Sequence, residues 1–277
     1  MHHAIHHLRE RRPDLVAQAS TPLEEWLAQF DGDGERLLAL RLLEQVRLFT
    51  LSDVRQALQA LHGKLASQPG FDAARTRYTS FAEGKSGGLV QYFYRTSNHL
   101  HHRLGVDWSD LVGPLASADD TPAADTLIIV DDTIGTGREA AWYFEQAAPA
   151  LARWRRKCFL ALVGFREGLE MLAQAAPDME VYCAEVHEKL FDPRHTVFTE
   201  TEKQDISAML CRYGERVYPP SRYGPIATPY GYRDGQALLA YFYNTPSNTL
   251  PIFWSVENGW KPILQRFDSY NVPLSRP

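Results

Sequence analysis

Residues 126–187 alternate short apolar runs with stretches of helical period. TLIIV (126–130), CFLALVG (158–164) and MEVYCAEV (179–186) are separated by REAAWYFEQAAPALARWRR, disturbed at Pro149, and by REGLEMLAQAA. The first two, of five and seven residues without polar alternation, suit strands buried on both faces of a sheet, and MEVYCAEV reads as a further strand. Helices between such strands imply right-handed crossovers and a mostly parallel sheet with flanking helices, an α/β class. Ligands of such sheets lie at the carboxyl ends of the strands. LVQYFYR (89–95) reads as a further strand, with TSNHLHHRLG as the start of the next helix and its stop.

Both flanks break this rhythm. Thr21, Pro22 and Glu24 read as a capping box with proline at the first helical position, ahead of Leu23, Trp26, Leu27 and Phe30 on one face. DGDG (31–34) breaks that helix, and Leu38, Leu42, Val46 and Phe49 form the stripe of a second. Ser52 caps a third, with Val54, Leu58, Leu61 and Leu65 inward. The expected organisation is a helical appendage over 1–68 and an α/β domain over 69–277, with an irregular Tyr-, Pro-, Gly- and Trp-rich cap from about 190. MHHAIHHL reads as an unpacked or added leading stretch rather than a metal site.

A chain of 277 residues with 44% hydrophobic content can bury a sizeable core. Its formal charge of −5 argues against generic nucleic-acid binding. No apolar run reaches membrane-span length, and no secretory signal is expected. Cys158, Cys183 and Cys211 show neither disulfide nor zinc spacing, so a reduced, cytoplasmic setting is expected.

The chemistry concentrates at IIVDDTIGTG (128–137). The apolar strand delivers Asp131 and Asp132 to the sheet edge, where alternation sends neighbouring side chains to different sides. Ionised carboxylates only accept hydrogen bonds, so they suit hydroxyls or a hydrated metal ion. The turn from Thr133 to Gly137 opens a helix whose free N–H groups, with the hydroxyls of Thr133 and Thr136, suit a phosphate monoester. A vicinal diol one sugar away from a phosphate satisfies both halves, as in ribose 5-phosphate. Helix capping alone needs neither the threonines nor both glycines. GTGREA also fits the dinucleotide pattern GxGxxA, but two aspartates before it would repel pyrophosphate, and the usual acid some twenty residues on is missing. An aspartyl phosphatase would want acids two apart, where Thr133 follows Asp131.

IIVDDTIGTG resembles the phosphoribosyl pyrophosphate (PRPP) loop of the type I phosphoribosyltransferases. The resemblance implies that Asp131 and Asp132 hold the ribose hydroxyls and act at the reacting centre, and that Thr133, Ile134, Gly135, Thr136 and Gly137 wrap the 5′-phosphate. Glu139 departs from the second hydroxyl residue that many members carry there. EGKSGGLVQYFYRTSN and NTPSNTLPIFWS extend the similarity to the diverged phosphoribosyltransferase-like proteins of bacterial conflict and anti-phage loci, over about residues 20–270.

A pyrophosphate needs a second anion site. Arg95 with Thr96 and Ser97, read as the carboxyl end of the LVQYFYR strand, is preferred to Lys85. His187 and Lys189 follow the last strand and read as solvated, HLHHRL (99–104) as a charged helix face, and the tail aromatics as core. The resemblance implies Mg²⁺ arriving with PRPP, a sugar phosphate or nucleotide as ligand, and ribosyl transfer or cleavage of a ribosyl–base bond. No protein side chain is expected to ligate the metal alone. A PRPP-sensing regulatory module, with a protein partner on the N-terminal helices, is the alternative; a glycosidase-like nucleotide-cleaving effector is a third.

Overall fold

The computed structural model describes residues 1–81, 86–112 and 124–267. In chain order the elements are α1 (His2–Arg11), α2 (Pro13–Gln18), α3 (Leu23–Leu27), α4 (Gly32–Glu44), β1 (Arg47–Phe49) and α5 (Leu51–Ala66). Then come β2 (Thr76–Ser80), α6 (Ser86–Ser97), α7 (Trp108–Val112), β3 (Thr126–Ile134), α8 (Arg138–Gln146), α9 (Ala148–Leu151), β4 (Arg156–Phe165), α10 (Arg166–Ala175) and β5 (Glu180–His187). The last are α11 (Glu200–Val217), α12 (Pro220–Tyr223), β6 (Ala227–Thr228), β7 (Gly231–Tyr232), β8 (Leu239–Tyr241) and α13 (Pro251–Trp254). They form two compact units, one of residues 51–187 and one joining 1–50 to 188–277.

The 51–187 unit is the α/β body. Its sheet runs β2-β3-β4-β5 with every neighbouring pair parallel. After its first residue β4 is buried throughout, as its unbroken apolar run requires, whereas β5 lies at the edge and is half exposed. Leu127, Ile129, Phe159 and Ala161 meet α8 and α10 through Ala140, Phe144 and Leu172. On the other face Tyr78, Ile128 and Cys158 share a row, and the Tyr94 ring of α6 stands edge-on to Tyr78 at 5.8 Å.

LVQYFYR is not a strand. It lies in α6, where Gly87, Val90, Phe93, Tyr94 and Ser97 are buried at helical spacing while Leu89 and Tyr92 are exposed. Aromatic and β-branched residues gave it strand character, but the burial period is that of a helix. The strand is TRYTS (76–80), paired residue for residue with Thr126–Val130. The stripe Val54, Leu58, Leu61 and Leu65 is buried as expected, but α5 carries it against α6 and β5, inside the α/β unit. The boundary therefore falls at residue 50, not 68.

The other unit closes around Trp26, fully buried, whose indole Nε1–H donates to the Ile252 carbonyl at 3.0 Å. Phe253 stacks on it at 5.8 Å, and Phe30 packs edge-on to Tyr213 and Trp260. Residues from 188 onward share this core with residues 1–50 and do not form an irregular extension of the sheet unit. Parallel pairing of β1 with β8 ties the two ends together. The 188–277 stretch also contains the long α11, opened by a reciprocal Thr199–Glu202 capping box. Pro22, not Thr21, is the N-cap of α3 and makes no side-chain cap, and Phe49 lies in β1 rather than on a helix. The leading histidine stretch is α1, anchored by buried Ile5 and Leu8. No helix among the described residues is long and apolar enough to cross a membrane.

Candidate functional site

Two crossovers leave the sheet in opposite directions. After β2 the chain passes through α6, and Gly105 then makes an isolated parallel bridge to Tyr78, with the Val106 N–H donating to the Tyr78 carbonyl at 3.0 Å. β3 holds one side of β2, so Gly105 lies on the other. After β3 the chain passes through α8 to β4, away from β2. Right-handed crossovers in opposite directions put α6 and α8 on opposite faces, as their packing shows. The carboxyl ends of β2 and β3 therefore flank a topological switch point, the crevice where open α/β sheets bind ligands.

Asp131 and Asp132 lie on this edge. β3 does not stop at Val130: it pairs Asp131 with Ala161, Thr133 with Val163 and Ile134 with Gly164, because the buried β4 continues alongside. Ile129 and Ile134, five residues apart, both join the α8-side core, so strict alternation breaks at the acid pair. Asp131, Asp132 and Thr133 are half-buried, and the Asp132 N–H donates to Asp131 Oδ1 at 2.8 Å. Ile134 is 1% exposed, so its side chain anchors the turn and only its main chain can meet a ligand.

The turn itself is short. Gly137 has a left-handed φ of 74° and is the N-cap of α8, which has no side-chain cap. The amides of Arg138, Glu139 and Ala140 thus open a nine-residue helix in the arrangement that attracts anions. Glu139 is exposed. Gly135 and Thr136 are half-buried, whereas Gly137 is buried, and a Cβ on Gly137 would come within 2.6 Å of the Gly168 carbonyl oxygen. Its glycine is therefore demanded by packing and by φ, not only by a ligand's approach.

The expected pyrophosphate residues separate. Arg95 is in the last turn of α6, not at a strand end. A helix that returns from the carboxyl end of β2 carries residue 95 some ~13 Å along its axis toward the amino end of the sheet. There the guanidinium stands over the Tyr92 ring at 5.4 Å. Thr96 Oγ1 donates to the Tyr92 carbonyl at 2.9 Å, and Ser97 is buried. Lys85 lies outside the described residues. Arg166, which the sequence reading passed over, is half-buried at the first position of α10, directly after β4. Its signal was the Arg-Glu pair that opens both α8 and α10. His187 ends β5 edge-on to Phe165 at 5.1 Å. Among the described residues no group of three His, Cys, Asp or Glu side chains could hold a metal ion. The acid pair fits a diol, and a metal ion only as a ligand shared with a bound polyphosphate.

Solved structures similar in part include three. The AQ2163 protein from Aquifex aeolicus is 11% identical over 63% of this chain and 88% of its own, with a TM-score of 0.33. Orotate phosphoribosyltransferase from Aeropyrum pernix is 19% identical over 49% and 71%, at 0.32. A hypothetical protein from Neisseria gonorrhoeae with bound ppGpp is 10% identical over 59% and 98%, at 0.33. No curated protein matches the chain. The model of one family matches residues 23–266, which takes in both ends of the switch point and most of the second unit: the chain belongs to the phosphoribosyltransferase-like PRTase-CE family.

Proposed function

We propose that the switch point binds PRPP or a ribose-5-phosphate nucleotide, and that the protein transfers or cleaves a ribosyl–base bond. The observation that carries this is the acid pair at the carboxyl end of β3, followed within five residues by a left-handed glycine and a helix without a side-chain cap. Asp131 and Asp132 would accept hydrogen bonds from the 2′- and 3′-hydroxyls. Thr136 and the first amides of α8 would hold the 5′-phosphate, with the helix dipole adding about 0.3–1 kcal/mol.

With PRPP, the bond from C1 to the pyrophosphate oxygen breaks and its electron pair leaves with pyrophosphate. A nitrogen lone pair of the acceptor closes on C1, and the proton it displaces goes to solvent. Mg²⁺, arriving with the pyrophosphate, would neutralise the leaving group. The carboxylates stand where they would stabilise the positive charge developing on the ribose ring. Positioning accounts for most of such a reaction, which needs no activated nucleophile from the protein. Lys85, which the family resemblance points to, and Arg166 at the head of α10 are the proposed pyrophosphate cations. The similarity to proteins of conflict loci supports an effector role in bacterial anti-phage defence.

Calorimetric titration with PRPP and Mg²⁺ tests the reading. Saturable binding that Asp131→Asn/Asp132→Asn abolishes is expected; equal affinity in the double variant rejects the site. Pyrophosphate release with candidate bases identifies a transferase. Free base released from nucleotides without PRPP identifies a hydrolase. Binding with neither product identifies a sensor.

A further inference from the structure

The turn after β3 and the first turn of α10 are in direct backbone contact. A Cβ built on Gly168 overlaps the Gly135 carbonyl oxygen and comes within 3.0 Å of both the Gly137 nitrogen and Ile134 Cγ2. A Cβ built on Gly137 comes within 2.6 Å of the Gly168 carbonyl oxygen, 3.1 Å of Gly168 Cα and 3.1 Å of Met171 Cγ. The contact is reciprocal, and the shortest approach on each side is to a main-chain carbonyl oxygen, so a methyl group on either side must displace backbone.

Glycine is a poor helix residue, and Gly168 sits inside the first turn of α10. Four residues on, Leu172 occupies the same helix face and is fully buried in the α8-side core. The inward face of α10 thus presents a leucine to the core and bare backbone to the turn. One residue before α10's N-cap, Gly164 leaves room for Leu169 to fold back over the end of β4; a Cβ there would meet Leu169 Cδ2 at 2.8 Å. Together these positions let α10 press on the turn with no side chain between them.

We propose that the first turn of α10 is the rear wall of the phosphate turn, and that Gly168 is a positioning residue that sets the conformation of Gly135–Gly137. This rests on the sugar-phosphate reading of the site. The wall closes the turn behind Gly137, so an anion is met only from the front, by Thr136 and the first amides of α8. It also couples the site to β5, which follows α10 and packs against it: a shift of α10 moves the turn's main chain without any side-chain intermediary.

The test is titration of the full chain with ribose 5-phosphate, followed by calorimetry and by ³¹P NMR of the bound phosphate. Gly168→Ala should weaken binding at least about tenfold, equivalent to 1.4 kcal/mol, and move the bound ³¹P resonance. Leu172→Ala, on the same helix face and away from the turn, should lower the melting temperature yet keep affinity within about twofold, with the same ³¹P shift. Gly168→Ala binding with wild-type affinity and an unmoved resonance overturns the inference and leaves the sugar-phosphate reading standing. Equal losses in both variants reduce Gly168 to a purely structural role and also overturn it. Failure of the wild type to bind ribose 5-phosphate or PRPP removes the underlying reading and the inference with it. If Gly168→Ala does not fold, hydrogen exchange of the wild type decides. Ligand should slow exchange in peptides covering both 134–137 and 166–171, and protection confined to 134–137 overturns the proposal.

Discussion

The two ends of one sheet are built from different local arrangements. At the amino end the acids have cationic partners. Asp125 pairs with Arg75 at 3.2 Å and with Arg155 at 3.4 Å, and Lys157 pairs with Asp178 at 2.6 Å. Glu180 takes both Arg156 Nε and Nη2, at 2.8 and 2.7 Å, and accepts from the Tyr182 hydroxyl at 2.7 Å. Hydrogen bonding to Arg156 holds the Glu180 carboxyl below its ordinary range against the opposing pull of burial. At the carboxyl end two carboxylates are adjacent in the chain, and they precede a glycine turn pressed on another backbone and a helix without a side-chain cap. The first arrangement closes a sheet end. The second sets two acids just ahead of a helix start without a side-chain cap, and the proposed ligand, with hydroxyls and an anion together, rests on that order.

The largest effect should come from the carboxyl end. Asp131→Asn/Asp132→Asn should weaken PRPP binding by about 100-fold or more, since two charged hydrogen-bond acceptors are lost at about 1.5–3 kcal/mol each. Calorimetry that finds unchanged affinity would reject the site.

Next in size is the second anion site. Lys85→Ala should cost about tenfold in PRPP affinity, at the lower end of a charge-assisted bond. Arg95→Ala should stay within about twofold, because α6 carries that residue toward the other end of the sheet. Calorimetry that finds the reverse would place the pyrophosphate elsewhere.

At the amino end Arg156→Met should lower stability by only about 1 kcal/mol, since the pair is partly exposed and screened, and should leave PRPP affinity unchanged. The smallest effect is in the pH profile. The folded-state pKa of Glu180 is depressed, so its contribution to stability is complete above the unfolded value and is lost as pH falls through the folded one. Between about pH 5 and 3, Glu180→Gln should therefore show a shallower loss of thermal stability than the wild type. Parallel curves would mean that the pair adds nothing on folding.

Much of the candidate site's local structure could be read along the chain. Thr126–Gly137 is a contiguous run whose apolar strand, acids, turn and helix start come in a fixed order, and local order survives folding. Buried β4 and the stripe of α5 followed for the same reason: hydrophobic period is a local property. The rest depended on partners distant in the sequence. TRYTS carries a single large apolar residue and is a strand only because Thr126–Val130 lies beside it. LVQYFYR has strand-forming residues, yet α5 and the sheet bury it with a helical period. Read as a strand, the segment would put Arg95 at a carboxyl end; as a helix it carries Arg95 to its own last turn. That Gly137 serves packing was equally hidden, because it meets Gly168 only after the chain has passed through α8 and β4. The proposed kind of ligand therefore rests on a few consecutive residues, whose covalent order no fold can change. The walls of its site, and the joining of both chain ends into one core, were set by contacts between segments far apart, which no local pattern encodes.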